Sequence, residues 1–428
     1  MARQSTGVIE NLLKSIPIPR MVRVRQRLER PVLQDPGGEL VRRLEAGGHL
    51  GHIENGMSVA ITVGSRGISN LPRIVARIVE SVKGRGGEPF LVPAMGSHGG
   101  ATAEGQKRML IGMGFEEGAV GAPIRSSMEV VRLGETEVGL PVCVDRTASE
   151  ADGIILLNRI KAHTSFEGEI ESGLLKMIAI GLGKQRGAES CHQLGFGCME
   201  RSIRDICRAA LPQLEILFAV GLLENAFHET CRIAVLGKDE IEDREPELLA
   251  ESKRLMGKLH FDTLDVLVVD EIGKDISGTG MDTNVVGRYH TGFGTGGPDI
   301  TRIAVLDLTE RSHGNATGLG ISDFTTRRMF EKMEFDQTYP NSLTSTVPVS
   351  VKIPMVLDSD RLAIQAAIKT CNILHLEQAR MVRIRNTLSL EEIEVSENLA
   401  AQLAGSSVHE VLGEPYDLAF DREGNLTG

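Results

Sequence analysis

Three observations predict an α/β protein built on mixed or parallel sheets. A short apolar run, a glycine-rich turn and a helical stretch follow one another at residues 57–82 and again at 89–113. A further apolar run at 153–157 opens a segment that holds two histidines and a lysine within about one strand–helix–strand unit. A second α/β unit starts at residue 264, just after a charged helical stretch at 239–259. Apolar runs bounded by turn residues read as buried strands, and strands alternating with helices imply parallel pairing. The chain therefore divides into an N-terminal domain, 1–260, and a C-terminal domain, 261–428.

The elements follow in order. Residues 21–28 alternate like an edge strand, and 36–44 enter a short helix. Residues 57–63 are a strand, 64–70 its turn, and 71–82 a helix with Asn70 as N-cap and Pro72 in the first turn. Residues 89–93 are the next strand, and Thr102 caps a helix at 103–113. A small β excursion covers 128–133 and 138–144. The strand at 153–157 leads to an apolar helical segment, 174–182, and then to an amphipathic helix at 199–211. Residues 214–220 are apolar, and 231–236 read as a strand. In the C-terminal domain, strands are expected at 264–269, 303–308, 347–356 and 381–384, and helices at 323–332 and 359–370.

Composition narrows the function. The net charge of −11 argues against a general nucleic-acid or acidic-membrane binder. No run approaches the roughly 18 apolar residues of a membrane span. Residues 1–14 are polar and lack a signal-peptide core, so a cytoplasmic location is expected. Cys143, Cys191, Cys198, Cys207, Cys231 and Cys371 form no Cys-x-x-Cys pair, so reduced, inert thiols are expected rather than a zinc knuckle.

The chemistry gathers at strand ends. Gly64-Ser65-Arg66-Gly67 follows the first strand, and Gly96-Ser97-His98-Gly99 follows the second. Lys161 and His163 stand just past the third. Ligands of open α/β sheets bind in the crevice outside the strand C-termini. Three successive strand ends thus each offer a polar group to one crevice. Lys176 is embedded in the apolar segment, and Gly181-Leu182-Gly183-Lys184 and Cys191-His192 follow. Taken singly, a loop histidine is more often a hydrogen-bonding surface residue, and a lysine in an apolar helix usually reaches back to water. Their clustering is what argues for a site. The second domain repeats the theme with Gly273-Lys274-Asp275, a polar turn after a strand.

These motifs resemble the nickel-dependent lactate racemase family. The likeness rests on Gly64-Ser65-Arg66-Gly67, on Ala94-Met95-Gly96-Ser97-His98 and on the series His163, Lys176, His192, with Gly273-Lys274-Asp275 in support. The resemblance implies two α/β domains with the active site in the cleft between them, the first binding cofactor and the second closing over it. It implies a nickel-pincer nucleotide as cofactor, attached at Lys176, with His192 as nickel ligand. It implies His98 and His163 as paired acid/base groups. Arg66, with Ser65 and Gly64, and Lys274 are implied contacts of cofactor or substrate. The chain departs from the lactate enzymes in three places. No carboxylate precedes Arg66, the segment from His163 to Lys176 is longer, and there is no Trp. Lactate itself is therefore in doubt as the substrate.

The implied reaction inverts C2 of a 2-hydroxy acid. A base takes the hydroxyl proton while hydride leaves carbon, and hydride returns to the other face; histidine's ordinary pKa near 6.5 suits that proton traffic. The implied partners are a small 2-hydroxy acid and the proteins that make and load the cofactor, with neither nucleic acid nor membrane. A homo-oligomer is left open. Two other readings compete. One is a conventional divalent-metal lyase or sugar-acid epimerase that uses His98, His163 and His192 as plain ligands. The other is a non-catalytic protein that binds a nucleotide or sugar acid.

Overall fold

The structure, a computed structural model, describes residues 7–65 and 67–427. Arg66 lies outside the described residues. The chain forms two compact units: residues 30–256 make one, and the chain before residue 30 joins residue 257 onward in the other.

The first strand, β1 (Met21–Gln26), belongs to the second of these units and is taken up below. In the unit of residues 30–256, β2 (Ser58–Val63), β3 (Glu88–Pro93), β6 (Gly153–Arg159), β7 (Ile216–Glu224) and β8 (Thr230–Leu236) form one sheet in the order β3-β2-β6-β7-β8. All pairs are parallel except β7 with β8. The intervening β4 (Val130–Glu135) and β5 (Pro141–Asp145) make a separate antiparallel pair. The chain places β3 on one side of β2 and later returns to set β6 on the other. The carboxyl ends of β2 and β6 therefore flank a topological switch point, where such sheets open a crevice.

One helix shows how the layers close. Leu71–Gly84 buries Leu71, Ile74, Val75, Ile78, Val79 and Val82, the three-four spacing that gives a helix one apolar face. That face packs on Val59, Ile61 and Leu91 of the strands. Asn70 precedes the helix in a left-handed conformation and makes no capping side-chain bond, contrary to expectation. Thr102 does cap its helix, Ala103–Gly112, by accepting from the Gly105 amide at 3.0 Å.

The other unit holds an eight-stranded sheet. Its strands are β9 (Thr263–Ile272), β10 (Asp299–Leu308), β11 (Phe324–Thr326), β12 (Met355–Leu357), β13 (Met381–Ile384), β14 (Glu392–Ser396) and β15 (His409–Val411), together with β1. The order is β12-β11-β10-β9-β13-β14-β1-β15. The β12-to-β13 portion is parallel, and the remaining pairs are antiparallel. An α/β architecture with mixed and parallel sheets is thus what the chain adopts.

Some local expectations fail for physical reasons. The alternating segment at 21–28 is not an edge strand, because β1 pairs on both sides. The helix expected over 323–332 is split: Phe324–Thr326 pairs as a strand, as its aromatic and β-branched residues favour, and Thr326 caps the helix Arg327–Glu331. The strand expected over 347–356 shrinks to β12, because Pro348–Val351 turns as a 3₁₀ helix. All six cysteines are unpaired thiols. Among the described residues no helix is long and apolar enough to cross a membrane.

Candidate active site

The turn after β2 is tied down by Glu224 at the end of β7, which accepts from the Ser69 amide at 2.8 Å and pairs with Arg159 of β6. Ser65 sits in this turn, and its Oγ lies 2.8 Å from Nδ1 of His98, in the turn after β3. Two neighbouring strand ends are therefore joined by one hydrogen bond. Gly96 makes the second turn fit: its φ of +57° is the left-handed region that glycine adopts at little cost. A Cβ there would stand 3.1 Å from Ile180. The Gly96 amide donates to the Gly181 carbonyl at 3.3 Å, so the His98 turn lies directly on the Lys176–His192 segment.

Beneath this turn is a buried polar network. Gln106 donates to the carbonyls of Gly96 at 2.9 Å and His98 at 3.2 Å. Its own carbonyl accepts from Lys184 at 3.3 Å. Lys184 also donates to the Pro93 carbonyl at the end of β3 and pairs with Asp145 at 2.9 Å. Both charged side chains are almost wholly removed from water, at 1% and 0% exposure. Burial pulls the Lys184 pKa down, and Asp145 opposes that pull. Lys184 takes a φ of +55°, uncommon for a residue with a Cβ, where the segment turns into the helix Lys184–His192.

At the end of β6 the backbone bends into the loop of His163. Glu171, 1% exposed, organises it: its carboxylate accepts from the His163 amide at 2.5 Å and from Gly168 at 3.1 Å, and it pairs with Lys253 at 2.5 Å. The His163 Nδ1 accepts from the Ser165 amide at 3.0 Å. Its ring lies 4.6 Å from Phe166 and 6.0 Å from Phe196. Phe196 in turn meets His192 edge-on at 5.3 Å, so one buried aromatic stands beside both imidazoles.

Lys176 ends a single α turn, Leu174–Lys176, which passes into a π-helix, Met177–Leu182. Such widened turns are frequent at functional sites. Glu245, fully buried, accepts the amides of Leu174 and Leu175 at 2.9 Å each and so caps the turn. Burial pushes its pKa up to about 7, against the pull of those two amides. Gly173 is required here, since a Cβ would stand 2.1 Å from the Glu245 Oε1. The Lys176 amine, 3.4 Å from the Ser172 hydroxyl, lies close enough for its charge to act on Cys191 and His192. Burial drives the Cys191 thiol up to about 12. Burial likewise holds His192 below the ordinary histidine range, and its Nδ1 bonds the Ala188 carbonyl at 2.7 Å. A carbonyl only accepts, so Nδ1 carries the proton and Nε2 keeps its lone pair. That is the state a metal-binding imidazole needs. The Lys176–His192 pair therefore fits a group attached by an amine and ligated by one imidazole.

Residues 50–202 match the lactate racemase N-terminal domain. The match is distant but clear. It spans β2, β3, β6 and every residue from Gly64 to His192 named above. The structure of the lactate racemase apoprotein from Thermoanaerobacterium thermosaccharolyticum aligns with a TM-score of 0.50 at 14% identity, covering 86% of this chain and 94% of that one. That likeness is one of fold. No curated protein matches the chain.

Within the lactate-racemase-like segment, the residues singled out from sequence fall into two groups. Ser65 and His98 are bonded to each other; Lys176, His192 and His163 share the Phe196 neighbourhood or one another's charge. Gly64 closes against Met177, the residue after Lys176, whose Cε would stand 3.4 Å from a Cβ. Arg66 lies outside the described residues. Lys274 belongs to the other unit, where its ammonium donates to the Gly278 carbonyl at 2.6 Å and its amide to Ser312 at 2.8 Å. Among the described residues no three His, Cys, Asp or Glu side chains come close enough to hold a metal ion, so His98, His163 and His192 do not form a joint ligand set. Sequence reasoning missed Glu171, Glu245 and the Asp145–Lys184–Gln106 network. Lys184 stood inside the Gly181-Leu182-Gly183-Lys184 run, but Glu245 sits in a charged helix where nothing distinguishes it from its exposed neighbours.

Proposed function

We propose that the chain is a racemase or epimerase acting at C2 of a 2-hydroxy acid, with a nickel-pincer nucleotide as cofactor. The observation that carries this reading is the Lys176–His192 pair: an amine beside an imidazole whose Nε2 lone pair is kept by the Ala188 carbonyl. Lys176 would hold the cofactor covalently and His192 would ligate its nickel; when bound, that group would supply the hydride acceptor. His98 and His163 are the imidazoles offered to the substrate hydroxyl. Arg66 is proposed as the guanidinium for a carboxylate or phosphate, and Lys274 as a further cationic contact. Phe166 and Phe196 exclude water beside the imidazoles, which strengthens every polar interaction there. The N-terminal domain is read as the cofactor-binding one, and the site as cytoplasmic.

The experiment is co-expression with cofactor-making proteins, followed by intact-mass and nickel analysis. The wild-type chain is expected to carry the added mass and stoichiometric nickel. Lys176→Ala is expected to lose the mass, and His192→Ala the nickel. A wild-type chain without added mass, or a Lys176→Ala chain that keeps it, ends this reading. A screen of 2-hydroxy acids in deuterated water then identifies substrate, since inversion that retains the C2 hydrogen points to internal hydride return.

A further inference from the structure

Lys176 ends a helical turn only three residues long, Leu174–Lys176. A turn that short does not support itself. Fixing its first residues costs more conformational freedom than its few internal hydrogen bonds return, and its leading amides have no partner within the helix. Three side chains from three separate elements supply what the turn lacks. Glu245, in the helix Ile241–Leu255, accepts the Leu174 and Leu175 amides on one oxygen, Oε2, at 2.9 Å each. Asn158, near the end of β6, donates its side-chain amide to the Gly173 carbonyl at 2.8 Å. Cys207, in the helix Met199–Ala210, donates its thiol to the Leu175 carbonyl at 3.1 Å. Ser172 is fixed as well, since it exchanges backbone bonds with Lys161 at 2.8 and 3.2 Å.

One of these contacts is kept at a cost to stability. Glu245 is fully buried, yet its Oε1 has no hydrogen-bond partner among the described residues. A half-satisfied carboxylate away from water opposes folding. Such a feature, retained against the turn that ends in Lys176, points to a role in presenting that lysine.

We infer that Glu245, Asn158 and Cys207 are the positioning residues of Lys176. They fix residues 173–175 from three sides, so the lysine leaves the chain in one direction before any cofactor arrives. This rests on the proposed function, in which Lys176 is the covalent anchor, and adds which residues make that anchor rigid. A preset amine meets the incoming group without first losing conformational freedom. A displacement of about 1 Å is enough to slow such a bond-forming step about a hundredfold.

The test uses the full chain and reads two quantities. The first is hydrogen exchange, in the cofactor-free chain, of peptides covering residues 172–178. The second is the fraction of chain that carries the cofactor mass after co-expression with the cofactor-making proteins. Glu245→Met keeps the length of the side chain and removes the acceptor, whereas Glu245→Gln keeps a carbonyl oxygen for the two amides. Glu245→Met is expected to quicken exchange at 174 and 175 by about tenfold or more, with β2 and β3 unchanged, and to lower the loaded fraction by a similar factor. Glu245→Gln is expected to bring both readings back to within about twofold of wild type. Asn158→Leu, which deletes the donor to Gly173, is expected to behave as Glu245→Met does, and replaces it if that chain does not fold. Exchange that quickens equally across residues 30–256 makes these side chains supports of the whole unit and overturns the inference. So does a Glu245→Met chain that loads as wild type does, or a Glu245→Gln chain that loads no better than Glu245→Met. A wild-type chain without the added mass ends the proposed function itself, and this inference with it, so the two failures are told apart.

Discussion

Replacing Lys184 by Met is the sharpest test of how the His98 turn is held. Methionine keeps an unbranched apolar stem and deletes the ammonium. Asp145, with no exposure, would then be an uncompensated buried charge. Breaking a buried pair from one side typically costs about 3–5 kcal/mol. The Pro93 carbonyl and the Gln106 side chain would lose a donor as well, on the order of 1 kcal/mol each and partly contained in that figure. The double variant Lys184→Met/Asp145→Leu removes the stranded charge. It should recover most of the loss, keeping a deficit of roughly 1 kcal/mol because Asp145 also caps Ala148 at 2.8 Å. Urea unfolding of the full chain, fitted as two transitions for two compact units, reads both values. Hydrogen exchange of peptides from residues 30–256 identifies the transition that moves. A loss under about 1 kcal/mol in the single variant, or a double variant no more stable than the single, would refute the claim that this pair anchors the turn.

Three further outcomes are expected. Glu245 has its folded-state pKa raised to about 7 from an ordinary 4.5, so its contribution is fully present below about pH 4.5 and is lost as pH rises to about 7, by up to about 3 kcal/mol. Glu245→Gln should flatten that slope in urea midpoints measured from pH 5 to 7.5, and an unchanged slope would assign the dependence elsewhere. Gly96→Ala should destabilise by about 1–2 kcal/mol, since the left-handed φ is strained for alanine and Ile180 is 3.1 Å away; a thermal midpoint equal to wild type would contradict this. Cys191 and Cys207, both buried with raised pKa, should resist iodoacetamide at pH 8 in the native chain and react only after denaturation, as peptide mass spectrometry will show.

Much of the site is visible in one dimension because glycine-rich turns announce strand ends. The segments carrying Ser65, His98 and His163 all lie where the pattern of apolar run and turn puts them, and helix Leu71–Gly84 has the periodicity read for it. Partial failures came where short elements compete. Phe324–Thr326 is too brief to separate by periodicity from the helix it precedes, and Glu392–Ser396 becomes a strand by pairing with β1, more than 360 residues away in sequence. The likeness to lactate racemases was legible from motifs, and the family match over 50–202 agrees with it.

Chain order by itself determined which residue types sit at which strand ends, because turn chemistry and apolar runs are local properties. Only the tertiary structure decided what each of them touches. Whether an imidazole faces a carbonyl, an amide or a hydroxyl, and whether a glutamate in a charged helix is exposed or sealed against the amides of Leu174 and Leu175, depends on segments far apart in the chain. Burial makes those contacts consequential: away from water, the partner at one nitrogen or one carboxylate oxygen sets the proton state of the whole group.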